Sequence, residues 1–492
     1  MSVKLIYSDI AIGADTDAEV TTSAYEDFST PETIPFGVSA GAVATCELNA
    51  WGLSPEYRVR GEQPFAFWSV EQSGTTGTFE TPPTIRLAFT KQYTSSGLTL
   101  RFSPDTNDYC SQITVVWSQN GVEKERGVFY PSTPLYALEN AVEAFDELTI
   151  YFDKTHLPNR RVKLEYIGIG IVREFTGKEL TSAKFIHEID YVSSALPMNV
   201  VDASFHSGTN AEFVFQRKQP VKAYDDNDLI GVYYIDKGER TSSQNYSISC
   251  HDAIGILDRD KYGGGLWLEQ TPIETLIDDV IGGLFEYELD TALQGKTLKG
   301  YIPPGKRREA LRHIAFALGA VVDTTGSRKI KIFLPAMGDG TVIPPEETYQ
   351  GGKVSTSDIV TKVHLIAYDI YEGEKETDSD EGFEFRGNPY GAIAYQITAE
   401  NPNVSASTFP NAVTYDGCWL INGDNVQERA DALLAYHMRR NVYSTKHILK
   451  GQALGDRANV TMPWGDTANA NVLKMTISVS GIVASDTEFL LD

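Results

Sequence analysis

Short runs of alternating apolar and polar residues dominate the segment from residue 83 to 172. Period-two alternation puts one set of side chains on each face of a strand, so each run predicts a β-strand that is buried on one side. The dipeptide Asn120-Gly121 between two of the runs is typical of two-residue hairpin turns. We therefore predict a self-contained β-sandwich here, with strands at 85–89, 98–102, 113–117, 148–152 and 162–166.

Further short runs follow between residues 183 and 250, and no helix-period segment separates them. They predict a small antiparallel barrel, because consecutive short strands without helices are typical of that architecture. Three more runs, at 447–451, 458–462 and 472–479, predict a second group of strands near the end of the chain. The fold class that these patterns predict is mainly β, with several domains.

Helical spacing interrupts the strands in three places. Apolar residues recur every three or four positions over 273–284, and Thr271-Pro272-Ile273-Glu274 matches a capping box with proline at the first helical position. A second helix is predicted over 306–318, where a glycine follows. A third helix is predicted after Asp424, whose carboxylate is suited to cap it. The first two helices predict a small α+β domain between the two groups of strands.

Composition excludes some partners. The 492 residues carry 67 acidic and 42 basic side chains, a formal charge of −25, so a surface that grips nucleic-acid phosphates or an anionic bilayer is not expected. No apolar run reaches the length of a membrane span, and the first residues lack a signal-peptide pattern. The four cysteines, Cys46, Cys110, Cys250 and Cys418, have no metal-ligand spacing, and we interpret them as buried thiols of a protein that folds in a reducing cytoplasm.

No motif in the chain points to catalysis. The eight histidines include no HExxH sequence, and 67 acidic residues offer too many pairs for a glycosidase dyad to be identified. Residues 225–228 offer oxygen ligands for calcium but lack the spacing of an EF-hand, so we interpret them as a solvated hairpin tip. We expect no catalytic residue, no metal and no cofactor, and a protein that is not an enzyme.

The order of these elements resembles the baseplate hub and tail-associated proteins of bacteriophages and related contractile injection systems. The sequence SCHDAIGILD at 249–258 is similar to the end of the first barrel in such hubs, and GDRANVT at 455–461 with TISVSG at 476–481 is similar to their last hairpin. The resemblance implies a homotrimer in which two barrels per subunit form a pseudo-sixfold ring. Such a ring matches a hexameric tail tube above and a threefold spike or tip below.

The N-terminal third is similar to a galactose-binding-like sandwich inserted in minor tail proteins of phages. The residues that carry this resemblance are FWS at 67–69, GLTLRF at 97–102, NDY at 107–109, FYP at 129–131 and LPNRRV at 157–162. Together the two resemblances imply an inserted jelly-roll sandwich, two small hub barrels and an α+β domain. The expected domains are an N-terminal arm packing on hub and sandwich (1–82), the sandwich (83–172), the first barrel (173–262), the α+β domain (263–336) and a second barrel with one helix (337–492).

The function implied is that of a structural hub in the distal tail or baseplate. It adapts the sixfold tube to the threefold tip, forms a conduit for DNA or effectors, and carries a sandwich that could bind host glycans. The expected partners are two further copies of the chain, a distal tail or tube protein, a spike, tape-measure or tip protein, and DNA that passes without specific binding. Such a protein is made in the bacterial host cytoplasm and ends in the virion. The alternative is a secreted carbohydrate-active enzyme with an accessory binding module.

Three sets of residues are candidates for binding. Aromatic side chains of the sandwich that could stack on sugar rings, or serve as core packing, are Tyr93, Tyr109, Trp117, Tyr130 and Tyr136. Acidic residues that could line the conduit, or belong to a mobile solvated loop, are Glu372, Glu374, Glu376, Asp378, Asp380 and Glu381. Basic residues that could contact a neighbouring subunit, or balance local charge, are Arg307, Arg308, Arg312 and Lys329.

Overall fold

A computed structural model provides the coordinates of the chain. Some residues named in the sequence analysis lie outside the described residues, namely Cys46, Asn107, residues 226–227 and residues 480–481. The described residues are 3–11, 14–27, 29–31, 43–44, 47, 59–60, 66–102, 108–177, 179–206, 215, 217–225, 228–349, 351–405, 407–449, 451–479 and 483–492.

The chain forms two compact units. One unit consists of Met1–Leu5 and Phe175–Asp492, and the other of Ile6–Glu174, which is inserted between them in sequence. Strands predominate in both units, which confirms the mainly β, multidomain fold class. Within the described part of the chain, no helix is long and apolar enough to cross a membrane.

The inserted unit is an antiparallel β-structure with its own core. Its two longest strands, Thr84–Phe102 and Leu135–Thr155, pair along their length, and register shifts between Ala88 and Gly97 mark where this ladder is irregular and the strands can bend. The other strands of its seven-stranded sheet are Glu19–Thr22, Phe67–Gln72, Cys110–Gln119, Val122–Phe129 and Arg161–Gly168. Each of the five runs predicted as strands of the sandwich lies in one of these strands.

Alternation decides which side chains of the sandwich are buried. Ile113, Leu148, Ile150 and Phe152 are all completely buried, while the residues between them point to the opposite face. Asn120 and Gly121 form the predicted hairpin turn, with φ angles of 51° and 76°, the left-handed conformation that such a turn requires at both positions. Alternation and turn chemistry therefore set the register here.

The larger unit is built on a thirteen-stranded sheet. Leu180–Glu188 from the first predicted group of strands pairs with Thr467–Val479 from the second, in register from Ala183 opposite Val479 to Glu188 opposite Lys474. Strands from both predicted barrels thus lie in one sheet. Its remaining strands are Val3–Ile10, Gly170–Thr176, Val200–His206, Pro220–Asp225, Asp228–Arg240, Asn245–His251, Thr341–Val342, Lys353–Thr356, Asn441–Ile448, Arg457–Thr461 and Val483–Leu491.

All three predicted helices are present, as Ile273–Ile281, Arg307–Leu318 and Val426–Met438. Their buried faces belong to one apolar core, together with residues of a four-stranded sheet. That sheet consists of Lys362–Glu372, Glu381–Phe385, Asn388–Glu400 and Ala412–Tyr415. Shorter elements of the larger unit are Ala253–Leu257, Lys261–Tyr262, Gly265–Pro272, Tyr287–Leu289, Thr297–Ile302, Gly305–Lys306, Val321–Asp323, Ile330–Phe333 and Pro345–Glu347.

Two predicted helix caps were wrong. Pro272 is the N-cap of the first helix, and the Thr271 hydroxyl instead donates to the carbonyl of Glu269, because Thr271 belongs to the preceding strand. Asn425 is the N-cap of the third helix. The carboxylate of Asp424 instead accepts hydrogen bonds from the side chains of Lys299 and Gln270, so contacts distant in sequence replaced the local ones.

Candidate binding surfaces

Four of the five aromatic candidates for glycan binding pack into the sandwich. Trp117 is 1% exposed, and Tyr93 and Tyr109 are each 7% exposed. The ring of Tyr109 stacks on His156 at 4.4 Å, and Tyr136 packs against the core, where burial raises its pKa. Tyr93, Tyr109 and Trp117 present no open ring face, so burial corrects their assignment as sugar-stacking residues. Tyr130 differs, since 67% of it is exposed.

The outer face of the sandwich sheet also carries Tyr151, which the sequence analysis missed. This residue lies between Ile150 and Phe152, both completely buried, and its own side chain is half-buried on the opposite face. Register places it directly opposite Thr114, which in turn lies opposite Val128. The alternation of the run 148–152 was the signal that could have identified it.

The acidic candidates lie on an ordered turn between two strands of the four-stranded sheet. One carboxylate, that of Asp380, accepts hydrogen bonds from the Tyr371 hydroxyl (2.6 Å), the Thr377 hydroxyl (2.6 Å) and the backbone amides of Glu376 and Thr377 (3.2 Å each). These bonds, that of the Thr377 hydroxyl above all, lower the pKa of Asp380. The other five candidates, Glu372, Glu374, Glu376, Asp378 and Glu381, are exposed.

Aromatic stacking holds the strand Glu381–Phe385, which follows the acidic turn. Phe383 stacks on Tyr301 with ring centroids 4.1 Å apart, and it also contacts Tyr390 at 5.5 Å and Trp419 at 5.2 Å. Trp419 in turn stacks on Tyr368 at 4.6 Å. Asp380 therefore holds the backbone of the turn by hydrogen bonds, and the aromatic rings hold the strand that follows it.

The basic candidates are all paired within the chain. Arg307 forms an ion pair with Asp260 at 2.7 Å and donates to the carbonyl of Val280 near the end of the helix Ile273–Ile281, where a cation suits the helix dipole. Arg308 pairs with Asp258 at 3.1 Å. The remaining two pairs are Arg312 with Glu309 (2.8 Å) and Lys329 with Glu286 (3.0 Å). This geometry favours local charge balance, and a role between subunits stays a prediction.

A buried ionic cluster in the sandwich escaped the sequence analysis. The ammonium of Lys163, which is 1% exposed, lies 2.5 Å from a carboxylate oxygen of Glu47 and 2.7 Å from one of Asp108. Arg160 pairs with Asp108 at 3.1 Å, and the ring of Trp68 lies 4.9 Å from the ammonium. The alternation of the run 162–166 predicts that Lys163 points to solvent. This prediction is wrong, because alternation does not show whether the second face of a strand is also covered.

A second buried polar group connects parts of the larger unit. The carboxylate of Asp252 accepts hydrogen bonds from the amide of Gly255 (3.2 Å) and the hydroxyl of Thr324 (2.7 Å), and that hydroxyl accepts one from Asn199 (3.1 Å). Burial raises the pKa of Asp252 to about 6, and the charge of Asp323 acts in the same direction. Among the described residues, no group of three His, Cys, Asp or Glu side chains is arranged to hold a metal.

No protein-family model and no curated protein matches this chain. Solved structures with a similar fold include the tail protein from Neisseria meningitidis MC58, at 11% identity and a TM-score of 0.47, covering 65% of this chain and 94% of that one. The 43 kDa tail protein of prophage MuSo2 from Shewanella oneidensis has 9% identity and a TM-score of 0.45, over 65% and 95%. Prophage tail protein gp18 from Listeria monocytogenes EGD-e has 11% identity and a TM-score of 0.44, over 64% and 91%. All three are tail proteins, and at these identities the likeness concerns the fold.

Proposed function

We propose that this chain is a non-enzymatic structural subunit at the distal end of a phage tail or tail-like particle, where it forms the baseplate hub. The observation that supports this most is the pairing of Leu180–Glu188 with Thr467–Val479, which joins two antiparallel groups of strands in one sheet. Each chain then contributes two groups, and three chains contribute six. A closed ring of three copies matches a sixfold tube on one side and a threefold tip on the other.

The neighbours of such a ring follow from its position. A distal tail or tube protein contacts its sixfold side, and a spike, tape-measure or tip protein contacts its threefold side. The subunit is made in the host cytoplasm and is incorporated into the virion.

The ordered acidic turn has a role in this ring as the lining of its conduit. Its five exposed carboxylates lie on a turn whose backbone is hydrogen-bonded to Asp380, next to a strand that aromatic rings hold. Fixed negative charges repel the phosphates of passing DNA, so DNA moves through without adhering. The inserted sandwich, which has its own core, is displayed for contact with the host surface.

Labelled antibody fragments against the sandwich test the placement. Fragments raised against residues 6–174 are coupled to gold and added to intact particles, which are then imaged by negative-stain electron microscopy. The proposal predicts label at one end of the tail only. Label spread along the tube, or none on intact particles while purified protein is bound, would contradict it.

A further inference from the structure

The buried ionic cluster of the sandwich holds one amine against two carboxylates where solvent has no access. The Nζ atom of Lys163 lies 2.7 Å from Oδ2 of Asp108 and 2.5 Å from Oε2 of Glu47. These three side chains are 0%, 1% and 3% exposed, respectively. The Nε atom of Arg160, whose side chain is 5% exposed, lies 3.1 Å from Oδ1 of Asp108. An amine and a carboxyl group held in contact without water are the reactants of an amide bond.

Four charges in one buried site are unfavourable as long as they remain charges. Removing ions from water costs free energy, which their mutual attraction recovers only when the geometry is excellent. Condensation of Lys163 with Asp108 would replace two of the four charges by one neutral amide and would release a water molecule. The two charges that remain, those of Glu47 and Arg160, have opposite sign, so the site would stay neutral as a whole.

We propose that Lys163 and Asp108 form an intramolecular isopeptide bond, with Glu47 carrying the proton and Arg160 stabilising the oxyanion. Glu47 takes a proton from the ammonium, and the resulting amine attacks Cγ of Asp108. Arg160 stabilises the negative charge that develops on Oδ1. Oδ2 then leaves as water with two protons, the one held by Glu47 and a second one from the attacking nitrogen. One N–C bond forms and one C–O bond breaks, so the step needs no oxidant, reductant or cofactor.

The contacts of the two carboxylates distinguish the one that reacts from the one that carries the proton. Oδ1 of Asp108 meets a guanidinium, a charged donor that favours the oxyanion of a tetrahedral intermediate. Oε1 of Glu47 accepts the neutral backbone amide of Arg161 at 2.7 Å, which orients Oε2 of the same carboxylate towards Lys163. Asp108 is therefore the acyl partner in the bond.

The bond joins two strands that are not neighbours in the sheet. Lys163 belongs to Arg161–Gly168, and Asp108 lies two residues before Cys110–Gln119. The sheet order places two strands between them, Thr84–Phe102 and Leu135–Thr155. A covalent link between residues 55 positions apart restricts the unfolded chain, as a disulfide does. The inserted unit therefore resists unfolding even when the ladders between its strands open.

The intact mass of the denatured full chain tests the bond. We expect the wild-type chain to be lighter than its sequence by about 18 Da, the mass of one water. Aspartate-glycine steps such as Asp339-Gly340 also lose water, as cyclic imides, so the site of the loss has to be located. Trypsin does not cleave after a lysine whose amine is acylated. Tandem mass spectrometry of the digest should therefore show residues 102–124 joined to residues 162–173.

Glu47→Gln is the variant that tests the proton carrier. It should keep the full mass of its own sequence, because a side-chain amide does not take up the proton. The pair Lys331 and Asp323 is the matched control within the same chain, with its nitrogen and oxygen 2.6 Å apart. The Lys331 side chain is 27% exposed, and among the described residues no second carboxylate pairs with it, so this pair should remain unlinked.

A wild-type chain of full sequence mass would overturn the proposal, and this result does not depend on how any variant folds. A linked peptide that contains Glu47 in place of Asp108, or equal linkage in Glu47→Gln, would overturn the assigned roles. Because the bond forms within one chain, its absence would leave the proposed hub untouched, and a chain that is linked but forms no ring would refute only the hub.

Discussion

Replacing Asp252 by asparagine should change how the stability of the larger unit depends on pH. The carboxyl is buried, and its pKa is raised from the ordinary 3.8 to about 6. The folded state therefore holds this proton more tightly than the unfolded chain does. Its contribution to stability is fully present below about pH 4 and is lost as the pH rises through 6. At 1.36 kcal/mol per pKa unit, the loss amounts to about 3 kcal/mol.

Asp252→Asn removes this titration and keeps most of the local structure. The asparagine oxygen can still accept the hydrogen bond from Gly255 that caps the helix Ala253–Leu257. Its amide would face Thr324, whose hydroxyl already accepts from Asn199 and has a second lone pair for the asparagine amide once its own proton turns away. We therefore expect the variant to lose less stability than the wild type as the pH rises.

Urea unfolding followed by circular dichroism at pH 4, 5, 6 and 7 measures the effect. The difference in unfolding free energy, variant minus wild type, should rise by about 2.4 kcal/mol from pH 4 to pH 7, most of the full effect, and other titrating groups cancel in this difference. A difference that stays constant over this range would refute the reasoning, because Asp252 would then titrate alike in the folded and unfolded states.

Three further predictions concern the sandwich and the acidic turn. Lys163→Met should destabilise the inserted unit by about 3–5 kcal/mol in thermal or urea unfolding, since it leaves the buried carboxylate of Glu47 without its cation and Asp108 with Arg160 alone, whereas the exposed control Lys91→Met should have little effect; equal effects would contradict the cluster's role. Replacing residues 14–168 by a short Gly-Ser linker, which keeps the strands Val3–Ile10 and Gly170–Thr176 in their sheet, should reduce attachment to host cells but leave ring assembly intact, and a collapsed baseplate would identify the sandwich as a brace. Neutralising the exposed acids Glu372, Glu374, Glu376, Asp378 and Glu381 with Gln or Asn, with Asp380 left in place to hold the turn, should preserve assembly and slow DNA ejection; normal ejection at low salt would exclude a lining role.

Local structure was predictable where one physical cause dominated. Period-two alternation identified the sandwich strands, and Asn120-Gly121 identified a turn that needs positive φ at two positions. Helical spacing identified Ile273–Ile281 and Arg307–Leu318, whose buried faces meet in one core. In these segments each side chain's role follows from its immediate neighbours, so the sequence is sufficient.

Contacts between distant segments were not predictable. The pair Glu188 and Lys474 is 286 residues apart, and no local pattern shows that their strands are neighbours. Asp424 precedes the third helix and was predicted to cap it. Its carboxylate instead accepts hydrogen bonds from the side chains of Lys299 and Gln270, which are distant in sequence. Lys163 occupies a position that alternation predicts to face solvent. It is buried instead, because its charge is balanced by Asp108 and Glu47, which lie 55 and 116 residues earlier in the chain.

In the candidate sites, too, residue types were predictable from local sequence, whereas exposure and contacts between strands were not. Their residue types could be chosen from the sequence, yet exposure separated Tyr130 from the buried Trp117, and only register brought Tyr151 into the same face. The sequence predicted an acidic loop at this position but not that its backbone is hydrogen-bonded. The hydrogen bonds depend on one carboxylate, that of Asp380, which also accepts from the hydroxyl of Tyr371.

The mass of the purified chain under native conditions tests the central proposal most directly. Native mass spectrometry of a chain of 54.3 kDa should give a principal species of about 163 kDa, three times that mass, and averaged electron micrographs of the same sample should show a threefold ring. A species of 54.3 kDa that persists at every concentration and after addition of its tail partners, or a closed ring of another order, would contradict the hub.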